Sequence, residues 1–132
     1  MQLSPFLRAI LKIDAATCLG SAVLVLPLAS ALQAPLGVQP TLLAGAAASL
    51  VPIGLFILWL GTRRQAPASL VWLVILGNIG WSAASVATAA TLEGMTPLGQ
   101  AAIAGQGFGV LAIAFAEYAG LRGSRQLGVK PA

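Results

Sequence analysis

Residues 41–61 read TLLAGAAASLVPIGLFILWLG and contain no charged side chain. A transmembrane helix needs roughly 20 mainly apolar residues, because each adds about 1.5 Å toward a hydrocarbon layer of about 30 Å. This stretch meets that requirement, so it predicts a membrane-spanning helix. Comparable apolar stretches occur at residues 10–33, 68–91 and 98–121.

The composition of the whole chain agrees with four such spans. Of its 132 residues 58% are hydrophobic and 8% are charged, whereas a soluble domain has about 25% charged residues. Backbone groups in lipid must be bonded within their own segment, which favours helices. We therefore predict an all-α fold, an integral membrane four-helix bundle of up-down-up-down topology, built as a single four-span domain over residues 1–132.

The composition also excludes several kinds of functional site. The chain has no histidine and one cysteine, which removes disulfide frameworks, zinc sites and histidine-based catalytic triads. We predict no metal, no cofactor and no enzymatic activity. The basic pI of about 10.3 does not indicate nucleic-acid binding, because the basic residues form short clusters at the span ends rather than a continuous helix face.

The basic residues predict the orientation instead. All seven fall on one side of an up-down-up-down arrangement, whereas the loops on the other side, 33–40 and 92–97, carry one acid, Glu93. By the positive-inside rule we expect both termini in the cytoplasm, with anionic inner-leaflet lipid at the basic face. The expected topology anchors are Arg8, Lys12, Arg63, Arg64, Arg122 and Arg125; the seventh basic residue is Lys130. An aromatic belt at the same level contains Phe6, Trp59, Trp72 and Tyr118.

The N-terminal stretch has a second interpretation. Its basic start, its apolar run and Ala29-Ser30-Ala31 resemble a cleavable secretory signal. Asp14 would interrupt the apolar region of such a signal, so we expect a retained first span.

Helix ends and small residues carry further predictions. Ser4-Pro5 and Thr96-Pro97 indicate capped helix starts, and Gly61 and Gly120 indicate helix ends. Small residues at four-residue spacing predict close helix packing within the bundle, with contacts between copies in a homo-oligomer as the alternative. Three such ridges occur: Ala101, Gly105 and Gly109; Gly45 and Ser49; Gly80 and Ala84.

Polar residues inside the spans follow helical periodicity. They form three stripes: Asp14, Thr17, Cys18 and Ser21; Asn78, Trp81, Ser82 and Ser85; and Gln106 with Glu117. We expect the stripes to converge in the bundle interior. Counting residues from the span ends predicts two layers, with the amides and hydroxyls of Asn78, Ser82, Ser85 and Gln106 deep and the carboxylates of Asp14 and Glu117 near the cytoplasm. The deep layer is either interhelical hydrogen bonding or a pocket beside Trp81 for a quinone headgroup or an amphipathic ligand.

The two intramembrane carboxylates, Asp14 and Glu117, also have two interpretations. Neither has a base three or four residues away on its own helix, so an ion partner would come from Arg8, Arg63, Arg64 or Arg122. Alternatively the two face each other across spans one and four. Two carboxylates in one low-dielectric site do not both ionise easily, and such a pair can carry a proton in transport.

Several short motifs together resemble a group of small bacterial four-span inner-membrane proteins without an assigned activity. They are Leu7-Arg8, Asp14-Ala15, Asn78-x-x-Trp81-x-x-x-Ser85, Thr96-Pro97-x-Gly99, Gln106 and Glu117-Tyr118-x-Gly120-Leu121-Arg122. In length, span number and an acidic first span the chain is also similar to the small multidrug resistance transporters. It departs from them because the carboxylate of that family is deeper and has aromatic neighbours.

We therefore expect a structural or accessory membrane component that is not an enzyme. The first alternative is a proton-coupled small-molecule transporter that works as an oligomer, with Asp14 and Glu117 as proton carriers. The second is a quinone- or lipid-binding accessory subunit that uses Asn78, Trp81 and Gln106.

Overall fold

A computed structural model describes residues 1–128 as four α-helices joined by short loops. They are α1 (Pro5–Leu36), α2 (Pro40–Thr62), α3 (Ala68–Thr91) and α4 (Pro97–Leu127). Residues 1–128 form no strand beyond one isolated backbone bridge between Gln2 and Gln65. The predicted all-α, four-helix architecture is therefore confirmed. The basic residue Lys130 lies outside the described residues.

The helix starts follow the predicted capping chemistry. The Ser4 hydroxyl accepts a hydrogen bond from the Leu7 amide at 3.1 Å, and the Thr96 hydroxyl accepts one from the Gly99 amide at 3.0 Å. Each cap is followed by a proline at the first helical position, where a missing N–H costs nothing.

The end of α4 differs from the prediction. The helix does not stop at Gly120 but continues to Leu127. Gly120 serves packing instead, because a Cβ atom there would lie 3.0 Å from the Leu7 Cβ on α1. Absence of a side chain therefore brings α1 and α4 close together, and the glycine remains helical.

The outer surface is apolar and the interior is partly polar. Large apolar side chains point outward on every helix, with Val23 76% and Phe115 67% exposed, whereas Asp14, Asn78 and Glu117 are buried. A soluble protein has the opposite arrangement. Each of the four helices is also long and apolar enough to cross a membrane, so the surface and the helix lengths agree on an integral membrane protein.

The helices pack in the spatial order α2, α1, α4, α3. The two longest helices, α1 and α4, form the centre, α2 packs against α1 and α3 packs against α4, whereas α2 and α3 barely touch. Short loops favour packing between consecutive helices, but α2 and α3 do not follow this rule. A cavity separates their facing surfaces.

Contacts between helix ends define the two ends of the bundle. At the end that we call the basic end, the Ser4 amide donates to the Ser124 hydroxyl at 2.9 Å. All the predicted topology anchors within residues 1–128 belong to this end, on α1, after α2 or on α4. At the opposite end the Thr96 hydroxyl donates to the Pro35 carbonyl at 2.7 Å, and Glu93 lies in the adjacent loop.

The small-residue ridges do not pack inside the bundle as predicted. A Cβ atom at Gly45, Gly80, Gly105 or Gly109 would meet nothing within 4 Å, and Ala84 and Ala101 are exposed. Other glycines lie at the close helix contacts, namely Gly54, Gly61, Gly99, Gly107 and Gly120. The spacing identifies a smooth helix face but does not identify which face meets a neighbour.

Gly99 and Gly105 on α4 provide a matched test of this packing. In Gly99→Ala the new methyl group would collide with the Leu36 carbonyl oxygen and the Met95 side chain, so we expect the free energy of unfolding to fall by about 1–3 kcal/mol. Gly105→Ala places its methyl group in open space and should leave stability unchanged or raise it by up to about 1 kcal/mol. Denaturation in detergent, monitored by circular dichroism, measures the free energy of unfolding of both variants. Equal losses would contradict the assignment of Gly99 to a close helix contact and of Gly105 to open space.

Candidate functional site

Asn78 on α3 joins two carboxyl groups from two other helices. Its side-chain nitrogen Nδ2 donates to Asp14 Oδ2 at 2.8 Å and to Glu117 Oε2 at 3.1 Å. The exposed fractions are 1% for Asp14, 0% for Glu117 and 7% for Asn78. Side chains from α1, α3 and α4 thus converge on one buried polar cluster, which we call the carboxyl cluster.

The predicted division into two polar layers is wrong for Asn78. It bonds to the carboxylates and not to the deeper amides. The depth was misjudged because α1 begins at Pro5, five residues before the predicted span, and α4 ends at Leu127, six residues after it. Counted from the observed helix ends at about 1.5 Å per residue, Asp14, Asn78 and Glu117 all lie at nearly the same distance from the basic end.

The carboxyl cluster has an unusual charge balance. Asp14 Oδ2 and Glu117 Oε2 lie close together, because both contact the same nitrogen atom, Asn78 Nδ2, at 2.8 and 3.1 Å. The remaining polar neighbour of Asp14 is the Cys18 thiol, with its Sγ 3.9 Å from Oδ1. Within residues 1–128, Glu117 Oε1 is buried without a hydrogen-bond partner. The cluster therefore has donors from Asn78 and Cys18 but no positive charge.

The arginines considered as ion partners lie elsewhere. The Arg8 Nε atom donates to the Gly61 carbonyl at 3.4 Å, and the guanidinium groups of Arg63 and Arg122 lie over the rings of Trp59 and Tyr118. In the described part of the chain no arginine or lysine is a polar partner of Asp14 or Glu117. The structure therefore brings the two carboxyl groups together without their expected cations, because guanidinium groups remain at the polar surface.

A second polar group connects α3 and α4 farther from the basic end. The Trp81 indole Nε1 donates to Gln106 Oε1 at 3.1 Å, and Gln106 Nε2 donates to the Ser85 hydroxyl at 2.6 Å. Ser82 and Ser85 are buried where α3 meets Gly107. These predicted residues thus do pair across helices, although Gln106 itself is exposed.

A cavity of about 650 Å³ lies between α2 and α3, beside both polar groups. Asn78, Trp81 and Gln106 all line it. Asn78 therefore borders the cavity and also contacts the two carboxyl groups. The other polar lining residues are Thr17, Cys18 and Ser21 from the α1 stripe. A mainly apolar space with a few polar groups at one wall is the usual form of a small-molecule site.

The wall contributed by α2 was not predicted. It consists of Leu50, Pro52, Ile53, Phe56 and Ile57. Apolar side chains that face a cavity have the same hydropathy as those that face lipid, so periodicity cannot separate them. Only Pro52, which interrupts the hydrogen bonding of α2, marks this helix in the sequence.

Asn78→Ala tests whether the carboxyl cluster holds the bundle together. It leaves two buried carboxyl groups without their shared donor, so we expect the free energy of unfolding to fall by about 1–3 kcal/mol. Ser85→Ala, which removes only the acceptor of Gln106, should cost about 0.6 kcal/mol. Chemical denaturation in detergent gives both values, and a loss for Asn78→Ala no larger than that for Ser85→Ala would contradict the central position of Asn78.

Comparison with protein-family models, curated proteins and solved structures finds no match for this chain. Function is therefore inferred from the side chains themselves, above all from the contact of Asn78 with Asp14 and Glu117.

Proposed function

We propose that this protein is a non-enzymatic, proton-coupled carrier of a small amphipathic molecule. One observation carries the proposal: two buried carboxyl groups, which have no basic partner among residues 1–128, are connected through Asn78 to an apolar cavity. Asp14 and Glu117 are the proton-bearing pair, and the cavity between α2 and α3 is the ligand site.

The chemistry of the pair supports a shared proton. If Asp14 and Glu117 were both ionised, two negative charges would contact the same amide nitrogen in a low-dielectric interior and would repel strongly. No described cation offsets them. A proton held between Asp14 and Glu117 removes one charge and lets one carboxyl group donate to the other. The cluster then retains one net negative charge, which Asn78 partly stabilises.

That charge determines the kind of ligand that the cavity favours. Its walls are apolar apart from the groups that border the carboxyl cluster, so the body of the ligand is apolar. A single positive charge on the ligand would be attracted by the negative charge behind Asn78. When such a cation binds, loss of the shared proton leaves the total charge of the site unchanged, and this exchange couples the ligand to the proton.

The membrane placement follows from the charged residues. By the positive-inside rule, we assign the basic end to the cytoplasm, with both termini on that side. The resemblance to small bacterial four-span proteins supports the bacterial inner membrane. Assembly of copies through the exposed ridge of Ala101, Gly105 and Gly109 stays a prediction.

Proton release on ligand binding tests the exchange. We expect tetraphenylphosphonium, an apolar monovalent cation, to release about one proton per molecule bound to the purified full-length protein, as measured with a pH indicator dye. Asp14→Asn and Glu117→Gln should each abolish the release, because neither variant retains the carboxyl pair. Glu93→Gln is the matched control, since Glu93 is exposed in a loop at the opposite end.

Binding is followed separately, so that a folded but uncoupled variant is recognised. Trp81 lines the cavity, and its fluorescence in a Trp59→Phe/Trp72→Phe background reports occupancy. Unchanged proton release in both carboxyl variants would overturn the proposal. Binding of decylubiquinone without proton release, and no binding of the cation, would favour the quinone-binding subunit instead; no binding of either probe would favour the structural component.

A further inference from the structure

A cleft of about 420 Å³ lies at the basic end between α3 and α4 and shares no lining residue with the cavity between α2 and α3. It is lined by Trp72, Tyr118, Leu121, Arg122, Arg125 and Gln126. Two guanidinium groups and two amphipathic aromatic rings thus share one open site at the level where the helices leave the apolar region.

The extension of α4 beyond Gly120 forms this cleft. Tyr118, Arg122 and Arg125 lie at spacings of four and three residues, so they occupy one face of the helix. Ser124 lies on another face of α4, where it is buried and its hydroxyl accepts a hydrogen bond from the Ser4 amide at 2.9 Å. That contact attaches the final turns of α4 to α1, and the two arginines are therefore held on a helix rather than on a loop.

The aromatic rings are arranged around the charges. The Trp72 and Tyr118 ring centroids lie 5.7 Å apart, with 53° between the ring planes. The Arg122 guanidinium carbon lies 5.9 Å from the Tyr118 ring centroid. Tyr118 thus contacts both the indole of α3 and the cation of α4.

No acidic side chain of residues 1–128 balances the positive charge of the cleft. The chain has three acidic residues. Asp14 and Glu117 are buried around Asn78, and Glu93 lies at the opposite end. Within residues 1–128, neither Arg122 nor Arg125 therefore has a side-chain carboxylate at the surface of its own end, so the cleft is suited to an external anion.

We propose that this cleft binds the phosphate group of an anionic membrane lipid. Arg122 and Arg125 bind the phosphate oxygens, since the planar guanidinium group matches phosphate geometry. Trp72 and Tyr118 lie at headgroup level, as such residues do at membrane interfaces. The exposed side chains of Leu76 and Phe115, one turn deeper on the same helices, provide apolar surface for the acyl chains. This continuity with lipid-facing surface favours a lipid over a soluble phosphate, and the proposal does not depend on the carrier function.

Brominated lipids test the site in reconstituted full-length protein. With Trp59→Phe and Trp81→Phe, Trp72 in the cleft is the sole tryptophan, and bromine atoms on nearby acyl chains quench its fluorescence. We expect brominated phosphatidylglycerol to displace phosphatidylcholine preferentially. Arg122→Gln and Arg125→Gln should each weaken that preference about fivefold, and the double variant should remove it.

The charge-matched control is Arg63→Gln with Arg64→Gln, at the same end but outside the cleft; its lipid preference should remain. An equal loss in the control and the cleft variant would overturn the proposal, because it would show attraction to the whole basic end. A competition experiment with a soluble phosphate adds glycerol phosphate to the wild-type protein. Removal of the lipid preference by millimolar glycerol phosphate would overturn the lipid assignment, whereas an unchanged preference supports it.

Discussion

One amide nitrogen, Asn78 Nδ2, connects three of the four helices, and the interior is organised around it. A hydrogen bond between membrane helices contributes only about 0.6 kcal/mol. The cost of leaving a charge without a partner is larger, since a charged side chain at the centre of a membrane helix costs about 2.5–3.5 kcal/mol. The contact therefore matters mainly because any other register of α3 would leave Glu117 without a donor and Asp14 with the Cys18 thiol alone.

Helix α2 does not take part in this polar cluster. Its Ser49 hydroxyl donates to the Ala46 carbonyl of its own helix, and α2 contacts α1 through Gly54 and Gly61, each close to α1 side chains. Apolar packing and one hydrogen bond, from Arg8 Nε to the Gly61 carbonyl at the basic end, determine the position of α2. The helices α1, α3 and α4 are also linked by buried polar contacts. This difference explains why the cavity lies along α2, where no hydrogen bond holds the facing surfaces of α2 and α3 together.

Much of the fold could be predicted from the sequence because hydropathy and capping are local properties. The number of spans, the capped helix starts and the convergence of the polar stripes followed from residue spacing. The contact of Asp14 and Glu117 around one site was one of two interpretations that the spacing left open. Asn78 could not be predicted as the partner of the two carboxyl groups. The depth of Glu117 in the membrane depends on where α4 ends, and α4 continues through Gly120 to Leu127. A pocket beside Trp81 was one of two interpretations of the polar stripes, but its α2 wall could not be predicted, because a lipid-facing leucine and a cavity-facing one such as Leu50 have the same hydropathy.

The sparse contact between α2 and α3 has a consequence for measurements of affinity. A ligand that reaches the cavity through this seam comes from the lipid phase, so its binding responds to its concentration within the bilayer. Each additional methylene group on the ligand makes its free energy of transfer into the membrane more favourable by about 0.8 kcal/mol, without any change in the site. Dissociation constants expressed against total aqueous concentration would therefore rise as more lipid is added, and ligands should be ranked by mole fraction in the membrane.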